Sequence, residues 1–185
     1  SMPSGQLYVD AIQRVWDDGD AVLPIDQRLP KETQKRLIEQ MSASAVMEPT
    51  GLSSLQGKPV ESGDALVVAT SGSTGQPKGV VLTHESLKAN AEATNDFLKV
   101  DPSVDKWLAC LPLSHVGGFS VVVRALHSGA PLEVHNGFNA EAVMTAAREG
   151  VTLVSLVPTA LRRINSGLFR RVLVGGSAVP KQRPE

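Results

Sequence analysis

Cysteine is almost absent: Cys110 stands alone in a chain of 185 residues. That excludes an internal disulfide and leads to the expectation of a reducing, cytoplasmic location. Excess charge of either sign is also missing, the formal net charge being -1, so no basic field exists and nucleic acid is not an expected partner. No uninterrupted apolar stretch approaches the roughly 20 residues that span a bilayer, and no charged-then-apolar leader is visible, so no membrane association is expected. What remains is ordinary for a soluble globular protein, with 42% hydrophobic and 20% charged residues. The length suffices for one sizeable core and one domain or slightly more.

The most informative stretch is 65–81, ALVVATSGSTGQPKGVV. An apolar run is followed by Thr70, Ser71, Gly72, Ser73, Thr74 and Gly75, then by Pro77, Lys78 and Gly79. Glycines let backbone N–H groups converge, hydroxyls add donors, and a lysine adds the point charge that a triphosphate attracts. A Walker loop needs glycine before the lysine and serine or threonine after it; here Pro77 precedes Lys78 and Gly79 follows, so that motif is excluded. Gly72 and Gly75 lack the spacing of a dinucleotide fingerprint. A flexible Ser/Gly linker would sit among polar residues, whereas two β-type runs, 66–69 and 80–82, bracket this stretch.

Elsewhere, helical and strand-like segments alternate. Tyr8, Ala11, Ile12, Val15 and Trp16 recur at helical spacing. Residues 21–25 read as a strand, and Pro30 opens a helix running to about Met41. Residues 42–64 are rich in Ser, Gly and Pro and read as a surface connection. Thr83 can cap a helix carrying Leu87, Ala91, Thr94 and Leu98 on one face, with His84 in its first turn as an exposed or capping residue. Residues 107–111 read as a strand that empties into Pro112-Leu113-Ser114-His115-Val116-Gly117-Gly118, which places His115 where open α/β sheets bind ligands. Residues 119–126 read as a buried helix whose one charge, Arg124, is costly unless paired. A strand (131–134), a helix (140–149), a strand (151–157), a helix from Pro158 to Ile164 and a last strand (171–174) follow, opening into Gly175-Gly176-Ser177. The expected fold class is therefore α/β, a layered and largely parallel sheet with flanking helices. An N-terminal segment (1–64) is expected to precede a nucleotide- and acyl-binding core (65–185).

TSGSTGQPKG resembles the phosphate loop of the adenylate-forming superfamily, which includes acyl- and aryl-CoA synthetases, peptide-synthetase adenylation domains and luciferases. LPLSHVGG, VSLVPTAL and VLVGGSAVP follow it in that superfamily's order, so the resemblance covers about residues 21–180. Within the superfamily, SLVPTAL, the placement of Arg124 after LPLSHVGG and the short segment before the loop most resemble the o-succinylbenzoate:CoA ligases of menaquinone synthesis. The implied fold is part of the large N-terminal domain. The implied reaction joins a carboxylic acid to ATP as an acyl-adenylate and then to coenzyme A as a thioester, with Mg2+ at the phosphates. By resemblance, Thr70, Ser71, Gly72, Ser73, Thr74, Gly75 and Lys78 hold phosphates, with Thr74 near the metal. Gly175, Gly176 and Ser177 form a wall for adenine and the acyl group. His115, Gly117, Arg124 and Ser155 line or support the acyl pocket, and catalytic roles fall to His115 and Lys78.

The motifs that complete the metal and ribose sites and the mobile C-terminal domain with its lysine do not occur before Glu185. An incomplete, inactive piece of such a ligase is therefore the expectation, and self-association across an uncovered apolar edge goes with it. A fragment of another acyl- or aryl-CoA ligase and a non-catalytic ATP-binding module are the alternatives.

Overall fold

The computed structural model describes residues 4–71 and 77–178. The chain forms two compact units that part between Leu87 and Lys88, a division by packing rather than by ligand role.

In the first unit, α1 (Gln6–Asp17) buries Tyr8, Val9 and Ile12 and ends where Gly19 takes a left-handed φ of 80°. Trp16 Nε1 donates to the carbonyl of Ala65 at 2.8 Å, which ties the helix to the apolar run. The strand expected at 21–25 shrinks to a single parallel bridge between Val22 and Leu66. Pro24 has no N–H with which to extend a ladder. Pro30 stands at the N-cap of α2 (Lys31–Gln40), one position earlier than expected. The stretch expected to be an irregular connection contains an antiparallel hairpin of β1 (Ala45–Glu48) and β2 (Gly51–Ser54). Next come β3 (Asp64–Ser71) and β4 (Pro77–Thr83), also antiparallel, with Thr70 opposite Lys78. Among the named strands, the largely parallel sheet expected of the chain is the sheet of the second unit, and both strand pairs of the first are antiparallel. Thr83 Oγ1 accepts from the Ser86 N–H at 3.2 Å and caps α3 (His84–Leu98), as expected of it. His84 is exposed and meets the Trp16 ring edge-to-face at 5.3 Å.

The second unit is built on a four-stranded parallel sheet. Its strands are β5 (Trp107–Ala109), β6 (Leu132–Val134), β7 (Leu153–Leu156) and β8 (Arg171–Val174), ordered β6-β5-β7-β8. The crossovers are α4 (Val116–Ser128), α5 (Ala140–Arg148) and the short α6 (Pro158–Leu161). Side chains alternate across a strand, so Leu108, Val154 and Leu156 face the cluster holding Val143 and Ala146 of α5. Trp107 and Ser155 instead face α4, where both meet Arg124. The α4 helix ends at Gly129 with φ 71°, and α5 begins at Asn139, whose side chain accepts from the Ala142 N–H.

One glycine sets how closely α4 approaches the preceding loop. A Cβ on Gly118 would lie 2.3 Å from the Pro112 oxygen and 2.7 Å from that of Leu111, both backbone atoms, whereas one on Gly117 would meet nothing within 4 Å. Gly118→Ala is therefore expected to cost about 1–3 kcal/mol through forced displacement of the helix. Gly117→Ala should hold or slightly raise stability through helix propensity. Thermal denaturation of the two variants checks the contrast.

Candidate functional site

The strand order of the second unit contains a topological switch point, found without reference to any motif. From β5 the chain crosses to β6 on one side, returns to β7 on the other side of β5, and then moves outward to β8. Connections leaving β5 and β7 thus run in opposite directions. In open α/β sheets the crevice outside the carboxyl ends of two such strands is the place for a ligand. The loop after β5 holds His115, and Val157 and Pro158 follow β7. Gly175 N–H donates to the Leu156 carbonyl at 3.1 Å, which sets the turn after β8 beside the end of β7.

His115 is the exposed N-cap of α4 and makes no side-chain cap hydrogen bond, so its imidazole is not used to hold the helix. Gly117 is exposed in the first turn. Gly175, Gly176 and Ser177 are exposed after β8. Gly176 takes φ 85°, and a Cβ there would press on Val157 Cγ1 at 3.3 Å, so both backbone and space favour glycine.

Arg124 and Ser155 are brought together. Arg124, 7% exposed, donates from Nη1 to Ser155 Oγ at 3.1 Å. Its guanidinium lies 5.7 Å from the centre of the Trp107 ring. Asn95 Nδ2 donates to the Arg124 carbonyl at 3.0 Å and fixes its backbone. No ion pair neutralises Arg124 among the described residues, and its Nε has no hydrogen-bond partner. Burial pulls its pKa below the usual arginine value, yet arginine stays charged in proteins. The expected lone cation is therefore real, and its surroundings are a hydroxyl and an aromatic face instead of a carboxylate. Sequence reasoning missed Trp107 and Asn95, because neither spacing nor residue type marks which strand and helix positions will face Arg124.

In the first unit, Thr70 and Lys78 sit opposite one another, and Thr70 Oγ1 donates to the Lys78 carbonyl at 3.1 Å. Lys78 is exposed and has no ion-pair partner among the described residues. Gly72, Ser73, Thr74 and Gly75 lie outside the described residues, as does the side chain of Ser71. A cavity of about 220 Å³ in this unit is lined by α1, the end of α2 and the β1–β2 hairpin, and none of the expected site residues borders it. Among the described residues no group of three or more His, Cys, Asp or Glu side chains could hold a metal ion, and no helix is long and apolar enough to cross a membrane. Cys110 is buried, with its thiol pushed up to about 12 by desolvation, and offers no nucleophile.

These features define an open α/β protein with a topological switch point at the carboxyl ends of its parallel strands, preceded by a glycine- and hydroxyl-rich stretch between paired strands. The chain matches the AMP-binding enzyme family over residues 13–185 and belongs to that family. Over 186 aligned residues it is 32% identical to the 2-succinylbenzoate--CoA ligase of Escherichia coli K12, an alignment covering 90% of this chain and 40% of that protein. Its fold is similar to that of o-succinylbenzoate CoA synthetase from Bacillus subtilis solved with the acyl-adenylate intermediate OSB-AMP. That match has a TM-score of 0.81 and 20% identity and covers 96% of this chain and 55% of the other. The same synthetase solved with ATP and magnesium ion gives a TM-score of 0.79 at 19% identity, over 99% of this chain and 57% of the other. The chain thus spans about 40% of the length of that curated ligase.

Proposed function

We propose that the protein carrying this chain activates a carboxylic acid with ATP and transfers the acyl group to coenzyme A, and that the acid is o-succinylbenzoate. Family membership and the TSGSTGQPKG stretch support the reaction. The observation that carries the substrate is Arg124, a buried cation without an acidic partner among the described residues. In the first half-reaction a carboxylate oxygen attacks the α-phosphorus of ATP and the bond to the bridging oxygen breaks, so pyrophosphate leaves. In the second the thiol of coenzyme A attacks the acyl carbon, the carbon–oxygen bond to AMP breaks, and the thiol proton passes to solvent or a base.

This chain's part is to position groups and to stabilise charge that builds on phosphate oxygens. Lys78, exposed and without an ion-pair partner among the described residues, fits a triphosphate's need for a cation. Gly175, Gly176 and Ser177 offer an exposed backbone surface at the strand ends for adenine, and His115, exposed and making no side-chain cap hydrogen bond, stands on the loop after β5. Mg2+, when bound, would neutralise phosphate charge; Thr74, to which that contact falls by resemblance, lies outside the described residues. A cytoplasmic location belongs to the same proposal and is supported by the free thiol of Cys110.

Pyrophosphate release from the purified protein tests the reading. With ATP and o-succinylbenzoate, release should exceed that with 4-oxo-4-phenylbutanoate, the same acid without the ring carboxylate. A charge-assisted contact is worth about 1.5–3 kcal/mol, so Arg124→Ala should lower kcat/KM for the diacid roughly ten- to a hundredfold. The analogue should lose much less. Equal losses on both acids would point instead to another acyl- or aryl-CoA ligase.

A further inference from the structure

We propose that Trp107 is a positioning residue for substrate selection, holding the Arg124 guanidinium where an ordinary buried arginine would be held by an acid. The inference rests on the reading of Arg124 given above and assigns the device that makes it workable. A buried guanidinium needs compensation, and its usual partner is a carboxylate. A carboxylate would also cancel the charge, and no anionic group of a substrate would then gain from approaching. An aromatic face attracts a cation through its quadrupole and leaves the net charge in place.

The local geometry matches that requirement. Trp107 is fully buried at the start of β5, on the sheet face covered by α4. The Arg124 guanidinium carbon lies 5.7 Å from its ring centre, within cation–π range. Ser155 accepts one guanidinium N–H, and a hydroxyl also adds no charge. Asn95, through its bond to the Arg124 carbonyl, holds the backbone from α3. Two donors in this cluster, Arg124 Nε and Trp107 Nε1, are buried and have no acceptor among the described residues. These three neighbours of the cation are neutral, and of the cluster's buried atoms left without a partner two are donors, against one acceptor, Asn95 Oδ1.

The experiment compares kcat/KM for o-succinylbenzoate and for 4-oxo-4-phenylbutanoate in the purified protein. Trp107→Leu should lower the preference for the diacid about tenfold, mainly through KM. Trp107→Phe, which keeps an aromatic face, should stay within about threefold. To separate ring electrostatics from packing, mono-, di- and trifluorinated tryptophan are incorporated in a background in which Trp16, and any tryptophan outside these 185 residues, is replaced by phenylalanine, which confines the label to position 107. Fluorine drains the ring's negative face with little change of size, so the diacid preference should fall stepwise with fluorine number. A flat series, or equal preference in Trp107→Leu and wild type, overturns the inference. Arg124→Ala measured beside them tells the failures apart. If that variant loses the preference while the fluorinated series stays flat, only the role of Trp107 falls. If Arg124→Ala keeps the preference, the substrate reading falls and this inference with it.

Discussion

Arg170→Ala is expected to destabilise the second unit by about 3–5 kcal/mol, because it strips the counter-charge from a carboxylate that has no access to water. The Asp105 side chain is 0% exposed. Its Oδ1 accepts from Arg170 Nε and from Thr152 Oγ1, each at 2.7 Å, while Oδ2 accepts from Arg170 Nη2 and from the Asp101 N–H. Arg170 also donates to the carbonyls of Leu98 and Lys99 at the end of α3. One ion pair therefore ties together the residues entering β5, β7 and β8 and the close of α3, all at the sheet edge opposite the crevice. Desolvation pushes the Asp105 carboxyl up, but the hydrogen bonds from Arg170, Asp101 and Thr152 outweigh it and hold the pKa below the usual carboxylate value. With the folded pKa depressed, the contribution is present above the unfolded value near ~4 and is lost as pH falls through the folded one. Urea denaturation at neutral pH should show the full loss in Arg170→Ala, and the gap to wild type should narrow in acid. In Asp105→Asn/Arg170→Ala the cost should be smaller than the sum of the two single costs, since the two side chains act as one unit. A cost below 1 kcal/mol for Arg170→Ala would mean that Thr152 and the Asp101 N–H suffice.

This clamp was invisible in the sequence. Asp105 and Arg170 are 65 positions apart, and each reads as an ordinary surface charge next to a strand. What could be read had local causes. Periodicity placed α1 and α3, an apolar run placed α4, and Pro, Gly and Thr marked helix ends. Apolar runs placed β5, β7 and β8 to within a few residues. The parallel sheet followed from their alternation with helices. The β1–β2 hairpin was missed because Ala45-Val46-Met47-Glu48 is short and its Pro49-Thr50 turn sits in a stretch whose composition reads as loop. The antiparallel pairing of β3 with β4 was missed because no helix intervenes, and a glycine-rich stretch fixes neither register nor direction by itself. For the site, the order of motifs put His115 and Gly175 at strand ends. That Arg124 would meet a hydroxyl and a ring depended on which way β5 and β7 present their alternating side chains, and pairing register decides that.

Lys78→Ala is expected to slow adenylation about a hundredfold, the scale of losing one preorganised donor to a developing negative charge, with little effect on stability. The backbone of Lys78 is held by the β3–β4 ladder and by Thr70 Oγ1, and neither uses its side chain. The ammonium is exposed and unpaired among the described residues, so truncation leaves no buried charge and opens no cavity. Surface changes of that kind stay within about 0.5 kcal/mol. The loss should appear where the phosphates depart: pyrophosphate release falls, whereas thioester formation from supplied acyl-adenylate, which has already lost them, stays near wild type. Two rates and a melting curve decide the matter. Equal loss in both half-reactions would place Lys78 at a step common to them, such as closure over the adenylate. A lowered melting temperature would instead make it a structural residue of the hairpin, and the phosphate-binding role would then have to rest on residues 70–76 alone.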